Sequence, residues 1–368
     1  MDSNKETIII FSGGNCFHAV DWYNSLINKG SQKNFIYLTD LYSGEDLSMI
    51  SNIENVLTLY TIDEFLPNYR TQVGDFFRNF IKLLFVPIQV FLLKRILKKF
   101  KNSIVHSHGM YYGLLMWLSG FQYVLSPIGS EILERPYQSF IYRFFARKIL
   151  KKAKHIIVDS TAMASCIKDL ASRDCHIFQY GFDASLAFNL SNKEGFTDRK
   201  YITSVRALYP LYNIDKIFET RNKQSLKFGI NYFYPYHDVN YRNYIYTLLQ
   251  PVDRDLGRLP TKDDVYAVLS QTILAISIPS SDSSPRSVAE AIFCGAAVAT
   301  TKMEWYEDFP VCMKNRVILI DINSSDWLYY SLIKAKEIVA IKYIPTSEAI
   351  AKYDKNVIAD EILSKIYI

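Results

Sequence analysis

The chain has 368 residues, of which 49% are hydrophobic and 21% charged, and its formal net charge is +5. This length suits two domains, and the composition is typical of a globular protein and excludes extensive disorder. The modest net charge does not by itself indicate a nucleic-acid partner. Five cysteines without a CxxC pair favour neither a disulfide framework nor a zinc site, so a reducing cytosol is expected.

The N-terminal half predicts a parallel α/β domain. A β-branched run at residues 7–11 ends at a Ser-Gly-Gly turn, residues 12–14, and a helical pattern follows. Further short apolar runs recur at helical intervals, at residues 35–38, 56–59, 104–105, 123–125 and 155–158. Strands that alternate with helices predict a doubly wound sheet over residues 1–183. Neither a signal peptide nor a transmembrane helix is expected.

The C-terminal half repeats this pattern. Its apolar runs lie at residues 201–205, 227–230, 275–278, 297–300 and 317–320. A helix that begins near Pro285 or Ser287 is expected to carry residues 290–294. The polar stretch at residues 183–200 lacks periodicity and is interpreted as the connection between the halves. We expect a second α/β domain over residues 184–349, and a C-terminal helix over residues 350–368 that returns to the N-terminal domain.

Two stretches of the N-terminal half combine basic and aromatic residues without an acidic one. Residues 76–102 carry seven basic side chains beside Phe76, Phe77, Phe80, Leu83, Leu84, Phe85, Phe91 and Leu92, and residues 138–155 carry six beside Phe140, Tyr142, Phe144 and Phe145. The pattern favours an anionic membrane surface, where each near-surface cation contributes about 1 kcal/mol. An ordinary amphipathic helix with a solvated basic face is the alternative. A nucleic-acid partner is not expected, because no binding motif is present.

The strongest chemical signal is the segment at residues 278–298. An apolar strand ends in a small polar loop that contains Asp282, and a helix follows with Glu290 near its start. An ionised carboxylate can accept hydrogen bonds from two adjacent hydroxyls of a sugar or a ribose. Backbone N–H groups at a helix start suit a diphosphate. The segment therefore predicts a sugar-nucleotide site, with a plain strand–loop–helix bearing surface acids as the alternative.

This segment resembles the signature of the family 4 retaining glycosyltransferases of GT-B fold. The matching residues are Pro279, Ser280, Asp282, Glu290, Ala291, Gly295 and Val298. The resemblance implies that Asp282 holds the donor sugar hydroxyls and that Glu290 holds the ribose diol. It also assigns Ser284, Arg286, Ser287 and Val288 to the donor site. Asp282 replaces the family's usual Glu, and Pro285 stands where the family commonly has Gly.

Other motifs extend the resemblance along the chain. Gly13 and Gly14 match the family's N-terminal turn, which lies against the diphosphate and the acceptor; a purely structural turn is the alternative. His106-Ser107-His108 resembles a motif whose second histidine touches the donor sugar, and a core role is the alternative for both histidines. The run 126–131 resembles a motif in which Ser130 and Glu131 would face the acceptor, with a helix cap as the alternative.

Three further positions concern the donor. Arg206 lies in a run, residues 204–210, that resembles the family's phosphate-neutralising loop, and a cation there would oppose the charge of the leaving diphosphate. The lysine that usually follows is absent, and Tyr212 occupies its place. Leu259 lies in a run that resembles the loop contacting the donor base. No D-x-D pair stands on a strand end, since Asp253-Arg254-Asp255 is expected in a loop, and neither a metal nor a cofactor is predicted.

The resemblance implies a GT-B architecture of two Rossmann-like domains that face each other across a cleft. The expected activity is transfer of a hexose, with retention, from a UDP- or GDP-sugar to a lipid-linked or saccharide acceptor. With the basic helices, it implies bacterial surface polysaccharide or lipopolysaccharide synthesis in the cytoplasm, peripherally on the inner face of the cell membrane. A nucleotide-sugar 2-epimerase of the same fold and a catalytically weak scaffold protein are the alternatives.

Overall fold

The computed structural model describes residues 6–14, 16–29, 32–40, 53–59, 80–100, 102–193 and 199–368. The chain divides into two units, one formed by residues 1–180 with 356–368 and the other by residues 181–355. The sequence places the corresponding boundaries after residues 183 and 349. Phe76, Phe77 and Lys101 of the first basic stretch lie outside the described residues.

The first unit contains a parallel sheet with helices around it. Its described strands are β1 (Thr7–Phe11), β2 (Asn34–Thr39), β3 (Val56–Thr58), β4 (Ile104–His108), β5 (Val124–Ser126), β6 (His155–Val158) and β7 (His176–Ile177). Its described helices are α1 (Phe17–Ile27), α2 (Val86–Leu97), α3 (Met110–Ser119), α4 (Gly129–Leu133), α5 (Arg135–Gln138), α6 (Phe140–Lys152) and α7 (Thr161–Ala171). The strand order is β3-β2-β1-β4-β5-β6-β7. The order reverses between β1 and β4, which makes this pair the topological switch point.

The buried strands explain why this unit folds. The side chains of residues 8–11 in β1 are fully buried, as a parallel strand covered on both faces requires. The C-terminal segment completes one face of the core. Ile358, Ile362 and Tyr367 pack in one cluster with Ile8 and Trp22.

The second unit contains another parallel sheet. Its strands are β8 (Tyr201–Ser204), β9 (Ile230–Phe233), β10 (Arg254–Gly257), β11 (Thr272–Ile276), β12 (Ala297–Thr301) and β13 (Val317–Ile320). Its described helices are α8 (Ala184–Lys193), α9 (Ile214–Lys223), α10 (Val239–Leu248), α11 (Lys262–Ser270), α12 (Arg286–Phe293), α13 (Val311–Lys314), α14 (Trp327–Val339) and α15 (Ser347–Tyr353). The last helix, α16 (Lys355–Lys365), belongs to the first unit from residue 356 onward. The strand order β10-β9-β8-β11-β12-β13 is that of a dinucleotide-binding fold, with its switch point between β8 and β11. The prediction of two α/β sheets is confirmed.

Three local predictions are wrong. The stretch predicted as an irregular connection contains helix α8, because the Asp183 carboxylate accepts the Leu186 N–H at 2.9 Å and Ala184 and Ala187 are buried in the core. The strand predicted at residues 227–230 is instead residues 230–233. The triplet 253–255, predicted as a loop, enters strand β10 at Arg254. In each case tertiary packing prevails over a weak local pattern.

Among the described residues, no helix is both long enough and apolar enough to span a lipid bilayer.

Candidate functional site

The carboxyl edge of the second sheet brings two predicted residues together. Strands β8 and β11 are hydrogen-bonded neighbours in parallel register, so their carboxyl ends lie side by side. Arg206 follows the end of β8, and Asp282 lies in the loop after β11. In open α/β sheets this edge, at the switch point, is where ligands bind.

Arg206 is held by three side chains at this edge. Its Nη2 forms an ion pair with Asp282, and its Nη1 donates to Ser287 Oγ at 3.1 Å. The guanidinium carbon lies 4.5 Å from the centre of the Tyr212 ring, a cation–π contact. Tyr212, which replaces the expected lysine, therefore supports Arg206 but adds no charge. Both partners of the ion pair are largely buried, with side chains 10% and 16% exposed.

Glu290 is the centre of a second group of polar side chains. Its Oε1 accepts from Lys262 Nζ at 2.7 Å, Arg286 Nε at 3.2 Å and Tyr266 OH at 3.3 Å. Glu290 is 4% exposed, whereas the side chain of Lys262 is 46% exposed. Lys262 and Tyr266 were not predicted. The sequence does indicate that they lie together, because Thr261 is a capping residue at a helix start and residues four apart share one face of a helix.

Helix α12 positions Glu290 and presents its first turn to the same edge. Pro285 is the N-cap, and the helix begins at Arg286. Ser284 and Ser287 are half-buried, while the Val288 side chain is buried in the core. Val288 can therefore meet a ligand only through its backbone. Half-buried Leu259, after β10, packs against the same core.

Two buried arginines fix the other end of α12, and neither was predicted. Arg199 Nη2 donates to the Cys294 carbonyl at 2.6 Å, and Arg316 Nη2 donates to the Gly295 carbonyl. Cations at a helix C-terminus compensate the unpaired carbonyls there. Burial lowers the pKa of both Arg199 and Arg316 to about 10, which leaves them charged at neutral pH.

The switch point of the first sheet carries the predicted glycine turn. Gly13 and Gly14 follow β1 and are buried. The Tyr37 hydroxyl donates to the Gly13 carbonyl at 2.9 Å, and the Ser12 N–H donates to the Leu38 carbonyl at 3.1 Å. The turn is therefore fixed by β2 at the edge where a ligand would approach.

The two histidines of β4 have different surroundings. His106 lies in the core, where its Nε2 contacts Ser126 Oγ at 2.8 Å and its Nδ1 contacts the Tyr367 hydroxyl. His108, at the end of β4, is 2% exposed, and neither ring nitrogen has a hydrogen-bond partner among the described residues. Burial lowers the pKa of His108 to about 3, so the ring is neutral at pH 7. His106 thus has the core role, and His108 retains one donor and one acceptor.

Glu131 acts as a helix cap in the first unit. Its Oε2 accepts the backbone N–H groups of Ile128 and Met110, each at 2.9 Å. These bonds join the starts of α4 and α3. Burial raises the pKa of Glu131 despite both bonds. Its role toward an acceptor, like that of exposed Ser130, stays a prediction.

The basic helices α2 and α6 both pack on α3 and leave apolar side chains exposed. The most exposed described members are Phe80, Leu83, Leu84, Ile88, Phe91, Phe140, Ile141, Phe144 and Phe145. Lys82 is an exception among the basic residues, because it is 8% exposed and pairs with Asp40 at 3.2 Å. On α6, Lys148 Nζ lies 5.5 Å from the centre of the Phe144 ring.

Within the described ranges, no group of three or more His, Cys, Asp or Glu side chains is placed to hold a metal ion.

Comparisons with known proteins agree with this architecture. Residues 56–160 match the family model described as glycosyl transferase 4-like. No curated protein sequence matches the chain.

Solved structures that align over nearly the whole chain include the following three. Anabaena Alr3699/HepE in complex with UDP-glucose is 13% identical, and the alignment covers 98% of this chain and 99% of that one with a TM-score of 0.70. Sucrose-phosphate synthase from Thermosynechococcus elongatus is 12% identical, with coverages of 99% and 98% and a TM-score of 0.69. A glycosyltransferase from Rickettsia africae is 12% identical, with coverages of 98% and 97% and a TM-score of 0.69. The chain therefore has the α/β fold, with two parallel sheets, of the GT-B glycosyltransferases.

Proposed function

We propose that this protein is a glycosyltransferase that moves a hexose from a UDP- or GDP-sugar to a saccharide or lipid-linked acceptor. The observation that carries the proposal is the meeting of Arg206, Asp282 and Ser287 at the switch point of the second sheet, with Glu290 buried in the helix that begins there. A cation, two carboxylates and a helix start match the diphosphate and the two diols of a sugar nucleotide. The likeness to a structure bound to UDP-glucose supports this ligand class.

The two groups of side chains suggest that each binds a different part of the donor. Glu290 is preorganised by Lys262, Arg286 and Tyr266, all on one carboxylate oxygen. We assign Glu290 to the ribose diol and Asp282 to the sugar hydroxyls. The first turn of α12 and the guanidinium of Arg206 would then bind the diphosphate.

Arg206 is the residue that we expect to act in the chemical step. The bond from the anomeric carbon to the phosphate oxygen breaks, and the acceptor hydroxyl oxygen forms the new bond to that carbon. Negative charge then develops on the leaving diphosphate, and a preorganised cation in a largely buried position stabilises it. We propose retention of configuration without a protein nucleophile, with the leaving phosphate taking the acceptor proton.

Residues of the first unit complete the proposal. His108 offers a neutral ring with an unpaired donor and an unpaired acceptor, which suits a sugar hydroxyl. The exposed aromatic and basic residues of α2 and α6 suit the headgroup region of an anionic membrane. We therefore propose peripheral attachment to the cytoplasmic face of a membrane and an acceptor that belongs to cell-surface polysaccharide or lipopolysaccharide.

Ligand binding and turnover test the proposal in sequence. The full chain is heated with UDP, GDP, ADP, UDP-glucose or GDP-mannose, and a ligand that binds the folded state raises the melting temperature. Release of UDP or GDP from the donor is then measured. We expect Glu290→Gln and Arg206→Ala each to lower turnover by roughly 10²–10³-fold, the effect of losing a preorganised charge.

A matched control variant distinguishes the loss of the Glu290 carboxylate from the loss of any carboxylate in the same unit. Glu348→Gln removes an exposed carboxylate of the same unit and should leave both the thermal shift and turnover unchanged. Wild-type turnover in both Glu290→Gln and Arg206→Ala would refute the assignment of the site.

One observation favours a second candidate, a catalytically weak sugar-nucleotide-binding scaffold. Arg206 is already engaged by Asp282, and Tyr212 stands where a second cation is expected. A thermal shift with a nucleotide sugar, but no release of nucleotide in the presence of cell-envelope lipid extract, would support this candidate over the enzyme.

A further inference from the structure

A basic hollow lies at the amino-terminal edge of the second sheet. Its volume is about 510 Å³, and its lining includes Arg199, Lys200, Tyr201, Arg254 and Lys336. Tyr201 and Arg254 are the first residues of β8 and β10. Because the strands are parallel, these starts share the edge opposite to the one where Arg206 and Asp282 meet. The hollow is therefore separate from the proposed donor site.

The lining carries four cations, and none of its residues is acidic. Lys200 Nζ lies 5.4 Å from the centre of the Tyr201 ring, and the Arg254 guanidinium carbon lies 5.8 Å from the same centre. Lys336 is exposed on α14 and completes the positive wall together with Arg199. Cation–π contact at an exposed ring is worth only about 0.5–1 kcal/mol, so it does not neutralise these charges.

Asp198, next to Arg199, lies outside the described residues, and the described carboxylates that flank the lining along the chain are engaged elsewhere. Asp253 accepts from Arg221 and from two backbone N–H groups, at 2.8 and 2.7 Å. Asp255 accepts from two tyrosine hydroxyls, at 2.8 and 3.1 Å, and from a backbone N–H. Glu337, next to Lys336, pairs with Lys334 at 2.9 Å. These three carboxylates are therefore not available to neutralise the cations of the lining.

Arg199 is the deepest of the four cations. It is 7% exposed, and its two terminal nitrogens donate to backbone carbonyls of Cys294 and Thr272. Its Nε has no hydrogen-bond partner among the described residues. Among the described residues the printed partners of Arg199 are backbone carbonyls only. A buried cation that lacks a carboxylate partner is costly, and a bound anion in the hollow would offset part of that cost.

We propose that this hollow binds a small phosphorylated anion, through a phosphate or diphosphate group held by Lys200, Arg254 and Lys336. Ammonium and guanidinium groups that line one hollow, with no acidic residue in the lining, are the chemistry that recognises phosphate oxygens. The site is independent of the donor site, so it is a place for an effector or a second substrate group.

Titration calorimetry with inorganic pyrophosphate, in about 0.1 M salt, tests the proposal on the full chain. We expect wild-type protein to bind pyrophosphate and the double variant Lys200→Gln/Arg254→Gln to bind it at least roughly tenfold more weakly, since two charge-assisted contacts are lost. Both substituted side chains are exposed, so the fold should be retained, and circular dichroism verifies this.

Two controls decide where the pyrophosphate binds. Lys223→Gln/Lys342→Gln removes the same charge from exposed positions outside the lining and should leave the affinity within about twofold, since the charge of an exposed side chain outside the site is screened by salt. Arg206→Gln should retain the binding that the hollow provides. The proposal is overturned if wild-type protein binds no pyrophosphate, if both double variants weaken binding equally, or if only Arg206→Gln abolishes it.

Discussion

At the scale of single residues, the ion pair of Arg206 and Asp282 determines how a donor could enter. Both side chains are largely buried, so neither charge is well solvated once its partner leaves. A diphosphate can replace Asp282 on Arg206 only if the freed carboxylate gains new donors, and sugar hydroxyls provide them. Donor binding would therefore exchange one ion pair for two charged contacts.

The buried histidines make the stability of the first unit dependent on pH. Burial lowers the pKa of His108 to about 3 and that of His106 well below 6.5, so the unfolded chain takes up protons that the folded chain does not. The contribution of His108 is complete above about pH 6.5 and is lost as the pH falls toward about 3, at up to about 1.4 kcal/mol per pH unit, and the contribution of His106 falls in the same direction. Glu131 acts with opposite sign, because a raised carboxyl pKa favours the folded state at low pH.

We therefore expect His108→Gln to flatten the fall in melting temperature between about pH 6.5 and about pH 4. Thermal unfolding followed by circular dichroism across this range measures the slope. Ile344→Gln, at an exposed position of the second unit, removes no titratable group and should retain the wild-type slope. Parallel slopes for wild type and His108→Gln would show that His108 titrates normally in the folded protein.

At this scale, the residues predicted from the sequence are those that belong to short motifs. Asp282, Glu290 and Arg206 were predicted from motifs, and the structure brings Asp282 and Arg206 together. The sequence did not predict Lys262 as a partner of Glu290, or Arg199 as a partner of Cys294, because these contacts join positions far apart along the chain. Buried arginines are also hard to predict, since arginine is usually exposed.

At the scale of secondary-structure elements, helix α12 is fixed at both ends. Its start is set by Pro285, and its end by Gly295, which has φ +82° and follows the last turn. The guanidiniums of Arg199 and Arg316 bind the terminal carbonyls. A rigid helix holds the Glu290 carboxylate in place, as a preorganised site requires.

Gly295→Ala tests this end of the helix. A positive φ costs an alanine about 1–2 kcal/mol, and a Cβ at residue 295 would also overlap Arg199 Nη2. We expect a total loss of roughly 2–5 kcal/mol, because overpacking adds about 1–3 kcal/mol. Urea unfolding followed by circular dichroism measures the shift in the midpoint of the second unit.

Gly257→Ala is the matched control for that loss. Gly257 also has a positive φ, +58°, but a Cβ there would meet nothing within 4 Å. It should lose only the backbone contribution of about 1–2 kcal/mol. Equal midpoint shifts for the two variants would mean that Arg199 moves aside at no cost and does not fix the helix.

Strands and helices were predicted correctly where the side chains follow a uniform pattern of burial. Strand β1 coincides with a β-branched run that is buried throughout, so its pattern is unambiguous. Helix α8 was missed because the whole stretch of residues 183–200 is mostly polar, although five of the ten residues of the helix itself are apolar. The packing of Ala184 and Ala187 reveals its buried face. Strand β9 lies three residues later than predicted, since the aromatic residues 232–233 are buried and belong to it.

At the scale of the whole molecule, the net charge of +5 conceals a local concentration of positive charge. The sequence of helix α6 contains five basic residues and no acidic one, beside four exposed apolar side chains. Exposed aromatic residues on a basic helix are unfavourable in water and favourable at an anionic membrane surface. Attachment through this helix would place the first unit at the membrane, where lipid-linked acceptors reside.

Vesicle flotation tests this attachment. Phe140 and Phe144 are 83% and 55% exposed, so Phe140→Ser/Phe144→Ser should leave the fold intact. Burial of one phenylalanine is worth about 1.5–3 kcal/mol, and we expect the pair to lower binding to phosphatidylglycerol-containing vesicles by at least roughly tenfold. Tyr329→Ser/Tyr330→Ser removes two exposed aromatics of α14 and should bind as wild type does. An anionic membrane surface is not the partner of α6 if the two double variants bind these vesicles equally. The same conclusion follows if wild-type protein binds vesicles of phosphatidylcholine alone as well as it binds those that contain phosphatidylglycerol.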